Sequence, residues 1–238
     1  MTGEFKTELF ADVGTSEAFV ARISLGLIEV LNATNFRYRQ KINDAIMNIL
    51  FEGLLPAFIS LREIKEFETG SKKLIRANLN KSYYNLYDHL WDAYKDRMQV
   101  VANLLGFNMG FLFQNNKEFK KGCEIFLKKH TGIDNEFINM LENERDTWQK
   151  IVMKIRNDYL KHKKPDSKQL EKYFTFENAE LTFNNSWQAI EDILVVLMRT
   201  GLQLDAGIDI AEIPEEKRDP NCPKRFRFCA TNNFKIGD

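Results

Sequence analysis

The chain is poor in the residues that break helices, with 5 prolines and 12 glycines among 238 residues. It is just as poor in cysteine. Cys123, Cys222 and Cys229 are odd in number and follow no disulfide framework, and the six residues between the last two are not a zinc-ligand spacing. Reduced thiols in a cytoplasmic protein are the expectation. An excess of one charge is missing too: Lys+Arg and Asp+Glu each count 34, so no global basic field advertises nucleic acid. A polyanionic partner has to be met by a local patch. Glu4, Glu8 and Asp12 precede any apolar run, which argues against a secretory leader. The longest uncharged stretch, 98–116, is interrupted by Asn103, Gly106, Asn108 and Gly110, so it reads as a helix end and loop rather than a membrane span. The expectation is a soluble protein with no membrane partner.

What is present is an ordinary globular balance, 44% hydrophobic and 29% charged, with 19 phenylalanines. Few breakers and many large apolar side chains favour a helical protein with an aromatic core. Ser16 suits the N-cap of a helix to about 33. A second helix runs over about 35–55 and is ended or kinked by Pro56, and a third covers about 57–68. The stretch 71–105 is helical with a tyrosine-rich face from Tyr83 to Tyr94; core packing is expected for most of it and subunit contact for some. A basic helix over 117–130 ends near Gly132. Asp134 or Asn135 caps the next helix, which stops before Pro165, and a last strong helix spans about 187–204. The β-favouring runs 173–176 and 181–183 are compatible with a small hairpin near 173–183. The expected fold is therefore all-α, a bundle of about six or seven helices in a single extended domain, 1–238. Its core is about 71–204, with 15–70 packed on it and an irregular tail, 209–238.

The densest chemistry lies at the end of the helix before Pro165. Lys154, Arg156, Lys161, His162, Lys163, Lys164 and Lys168 are offset only by Asp158 and Asp166. Such a patch attracts phosphate within a screening length of roughly 10 Å. On composition alone a solvated basic helix end, favourably placed at the negative pole of the helix dipole, is the better reading. His162 has an ordinary pKa of about 6.5 and can act as acid or base. Asp158, four residues earlier, is placed to orient it, and the lysines favour its neutral form. Elsewhere, His89 fits a buried core histidine and His130 a solvated dipole partner. Glu142, Glu144, Arg145 and Asp146 fit a solvated face, and Lys224 to Arg227 fit a solvated tail. No metal-ligand set, glycine-rich phosphate loop or serine elbow is visible.

Arg156-Asn157-Asp158-Tyr159-Leu160-Lys161-His162 resembles the signature of the HEPN superfamily (higher eukaryotes and prokaryotes nucleotide-binding), an arginine, a polar residue directly after it, and a histidine four to six residues beyond. Five residues separate Arg156 from His162, one more than in the common form. The resemblance implies an all-helical, metal-independent endoribonuclease with no cofactor. The 2′-hydroxyl of RNA would attack the adjacent phosphate, giving 2′,3′-cyclic phosphate and 5′-hydroxyl ends. His162 would be the acid/base, Arg156 would stabilise phosphate charge, and Asn157, supported by Asp158, would hold the geometry. Lys154, Lys161, Lys163 and Lys164 would contact nucleic acid. The implied partners are RNA, a second copy forming a homodimer, and an antitoxin or regulatory protein in a defence or toxin-like system. A non-catalytic helical module binding RNA, nucleotide or protein is the alternative. On a straight helix Arg156 and His162 would point about 120° apart. Either a tightened last turn before Pro165 or residues pooled from two subunits would bring them together.

Overall fold

The computed structural model describes residues 39–70, 76–157, 173–201, 208–217 and 225–230. The fold is all-α, as expected, with five long helices among the described residues rather than six or seven. The expected helix over 16–33 lies outside them.

The first correction concerns Pro56. It does not end a helix: α1 runs through 39–68 as Arg39–Ile49, a wide π turn Leu50–Leu54, and Leu55–Glu68. A proline lacks the amide donor, and its ring crowds the carbonyl four residues back. The π turn supplies the relief, since the Leu55 amide bonds to the Leu50 carbonyl five residues earlier and the extra residue lets the helix continue. Ile42, Ile46, Leu50, Leu54, Ala57, Leu61 and Ile64 make one buried stripe through both halves. By length and composition Gln40–Glu68 could cross a membrane, but 50% of its most apolar window is buried inside the bundle.

α2 covers 76–104 as Arg76–Trp91, a second π turn Asp92–Arg97, and Met98–Leu104. The two π turns meet at Gly53, where a Cβ would stand 2.6 Å from the Ala93 Cβ; only glycine permits that approach. α2 ends at Gly106, at φ +92°. The Gly106 amide bonds back to Asn103 O at 3.0 Å and the Phe107 amide to Ala102 O at 2.8 Å, which satisfies the last carbonyls. Tyr83, Tyr87, Trp91 and Tyr94 are all buried, so these members of the aromatic face belong to the core and are withdrawn from any subunit contact.

A short 3-10 turn, Gly110–Phe113, leads to α3, Asn116–Lys129, whose N-cap Asn115 accepts amide bonds from Lys117 and Glu118. Asp134 caps α4 by accepting from the Phe137 amide at 3.1 Å. α4 runs as Asn135–Glu144, a third π turn Arg145–Gln149, and Lys150–Ile155, and stays helical through 157.

The hairpin expected near 173–183 is not formed; α5 is one helix, Phe176–Gly201. Phe176, Ala179, Phe183, Trp187, Ile190, Leu194 and Leu197 recur at helical spacing, and burial of that stripe overrides the β propensity of single aromatics. Thr175 starts the helix, its hydroxyl accepting from the Asn178 amide at 3.3 Å. The tail is corrected in the opposite sense. Within the span expected to be irregular, β1 (Ile208–Glu212) pairs antiparallel with β2 (Phe226–Ala230), Ile210 opposite Phe228. Arg225 ties this pair to α5, bonding Glu191 at 3.0 Å and Asp192 at 2.8 Å while lying over the Trp187 ring. It is no solvated tail residue.

Candidate functional site

The C-terminal part of α4 lies against the first half of α2. Val152 and Ile155 hold it there from the core side. Arg156 follows one position later, at the edge of that seam, with its side chain 27% exposed. Two residues of α2 meet its guanidinium. The Asp88 carboxylate lies 3.5 Å from Nε, and the Trp91 ring lies 5.7 Å from Cζ. The ion pair is not a hydrogen bond: Nε is buried and has no hydrogen-bond partner among the described residues. Asp88 is half exposed, at 49%. Lys95 brings its ammonium within 5.8 Å of the same Trp91 ring. Asp88, Trp91 and Lys95 share one face of α2 at i, i+3 and i+7.

Trp91 itself is buried and braced by Phe113, edge to face at 5.6 Å. Phe113 touches Tyr94 in the same way, and Tyr94 touches Trp148 at 4.7 Å. The Trp91 Nε1 and Tyr94 hydroxyl find no hydrogen-bond partner among the described residues. Burial pushes the Tyr94 phenol well above its ordinary range, with Glu144 adding to the rise, so it stays neutral.

Of the residues singled out from the sequence, the structure places Lys154, Arg156 and Asn157 together at this end of α4, all half-buried. Asp158, Lys161, His162, Lys163 and Lys164 lie outside the described residues. Sequence reasoning missed Asp88, Trp91 and Lys95. Their spacing was legible as a helix face, but nothing in it pointed to Arg156, 60 or more residues away.

One other site needs correction. Arg145 is not on a solvated face. It is 7% exposed and donates to the Leu112 and Gln114 carbonyls and to Asn116 Oδ1, with Phe119 under its guanidinium at 4.7 Å. Its neighbour Glu144 accepts from the Trp148 indole, and burial raises its pKa. A signal existed for Arg145, which falls on the apolar stripe Ile138, Leu141, Trp148, Val152 and Ile155, so a cation there had to be buried with partners. His130, partly exposed at the C-cap of α3, also meets the Phe107 and Phe126 rings, centroids at 4.6 and 4.7 Å, and partial burial lowers its pKa.

A helical bundle with an arginine held at a helix seam by a carboxylate and an indole is the class of site the geometry defines. Compared with family models, curated proteins and solved structures, the chain matches none.

Proposed function

We propose that the chain is a HEPN-type, metal-independent endoribonuclease acting as a dimer in a defence or toxin-like role. The observation that supports it is Arg156: a guanidinium on a rigid helix, backed by the Trp91 ring, partly open to solvent and directly followed by Asn157. Its Nε has no hydrogen-bond partner among the described residues and the side chain is 27% exposed, which suits contact with phosphoryl oxygens. In the reaction, the RNA 2′-oxygen forms a bond to the adjacent phosphorus and the P–O5′ bond breaks. His162 takes the 2′-hydroxyl proton, and water supplies the proton that the departing 5′-oxygen needs to leave as a hydroxyl. Arg156 stabilises the charge that builds on the phosphoryl oxygens.

Incubating the purified protein with single-stranded RNA in EDTA tests this. Cleavage leaving cyclic phosphate ends, lost in both Arg156→Ala and His162→Ala, is the expected result. Cleavage abolished by EDTA, or retained by His162→Ala, overturns the mechanism. The Asp88 ion pair favours a second reading, a non-catalytic RNA-binding module, because it offsets part of the charge that a transition state would use. Intact RNA bound with a steep salt dependence is the result expected of that reading.

A further inference from the structure

We propose that Asp88 is an internal competitor for the phosphate seat on Arg156, an electrostatic gate that keeps RNA affinity below what the guanidinium alone would provide. The inference rests on Arg156 contacting RNA phosphate, whether or not cleavage follows.

The carboxylate is close enough to oppose an incoming anion, at 3.5 Å from Nε, yet it makes no hydrogen bond to that atom. A pairing without hydrogen-bond geometry between groups exposed by 27% and 49% is weak and easily displaced. Orientation of Arg156 does not require it. The Trp91 ring, itself locked by Phe113, lies under the guanidinium and stays there when the carboxylate leaves. Asp88 thus supplies opposing charge where Trp91 supplies position. A phosphate arriving at Arg156 has to displace Asp88 and accept a like charge beside it. Lys95, on the same face of α2 and 5.8 Å from the Trp91 ring, works in the phosphate's favour. One aspartate against Arg156 and Lys95 leaves the seat a single net positive charge, so the patch favours multivalent polyanions such as RNA over single phosphates.

Binding of a fluorescein-labelled single-stranded RNA, followed by anisotropy in EDTA at low salt, provides the test, with thermal melts confirming that each variant folds. Asp88→Asn keeps the side-chain shape and removes the charge. Its expected effect is a roughly fivefold tighter complex, the weight of one unit charge about 4 Å away in water, shrinking as salt is added. Asp96→Asn, the same charge change at an exposed position of the same helix, should leave affinity within about twofold as expected for a screened charge. In an Arg156→Gln background the gain from Asp88→Asn should collapse to that of Asp96→Asn. Unchanged or weaker binding by Asp88→Asn, with wild-type binding that still depends on Arg156, overturns the gate and leaves the RNA reading standing. An equal gain from Asp88→Asn with and without Arg156 also overturns it. Failure of both wild type and Asp88→Asn to bind RNA removes the RNA reading, and the gate with it.

Discussion

Arg145 and Arg156 stand on the same helix, about three turns apart, and have opposite surroundings. Arg145 faces two backbone carbonyls of the segment before α3 and the side-chain amide of Asn116 at its start, all neutral acceptors that hold it in place. Arg156 faces a charge and a ring, with no hydrogen bond at its buried nitrogen. The first arginine is consumed by the fold: together with Gln149, which also donates to the Leu112 carbonyl, it satisfies the carbonyls of that loop. The second is carried by the fold but not used up by it. A guanidinium available to a ligand is one whose position is fixed by something other than its donors, and Trp91 does that for Arg156.

The comparison breaks most sharply under substitution. Arg145→Ala should lose about 3 kcal/mol of stability, because a buried, charge-assisted network is cut and the Gln114 carbonyl loses its donor, while the Leu112 carbonyl keeps Gln149. Urea denaturation checks this, and a loss below about 1 kcal/mol would mean that water replaces the guanidinium. Arg156→Ala should do the reverse. Its stability should change by less than about 1 kcal/mol, since the pair is only partly buried and makes no hydrogen bond at Nε, while RNA affinity falls roughly tenfold or more through loss of a charge-assisted contact. Titration of labelled RNA alongside a melting curve separates the two effects.

Tyr94→Phe probes the ground between the arginines. Its hydroxyl is buried without a partner among the described residues, so removing it should leave stability unchanged or raise it by up to about 1 kcal/mol. A clear loss would reveal a bound water bridging the Trp91 and Tyr94 polar atoms. The smallest effect is expected at Glu144. Burial raises its folded-state pKa above the unfolded value, so the fold prefers the protonated form. That contribution is fully present below the ordinary carboxylate range and is lost as pH rises through the folded pKa. Glu144→Gln, which can still accept from Trp148, should therefore gain up to about 0.5 kcal/mol at pH 7, discounted for partial exposure, and the gain should vanish near pH 4. Melting temperatures at the two pH values measure it.

Much of the helical layout was legible because burial imposes one period over long stretches. The Asp134 cap, the stop at Gly106 and the stripes of α2 and α4 all follow from local rules. The errors share a cause. Pro56 was read as an end or a kink, and the β-favouring runs at 173–176 and 181–183 as compatible with a small hairpin, because local propensity was weighed without the neighbours that decide it. A π turn packed on Ala93 rescues the first. Phe174 stacking on Tyr83 at 4.9 Å, with the Tyr87 hydroxyl donating to the Tyr173 carbonyl at 2.9 Å, seats the chain that enters α5. At the candidate site, the clustering of Lys154, Arg156 and Asn157 is visible in the sequence, whereas the approach of Asp88, Trp91 and Lys95 is not, since residues so far apart in sequence meet only once the helices pack.

The sequence by itself determined the all-α class, the places where most helices start and stop, and the arginine that carries the proposed chemistry. Those features depend on periodicity, caps and residue type, which act within a few residues. The stripe position of Arg145 announced its burial, but tertiary structure alone decided which groups receive it and which arginine is left partly open. That choice depends on what stands opposite each guanidinium: loop carbonyls for Arg145, and a loosely paired aspartate and a buried indole for Arg156.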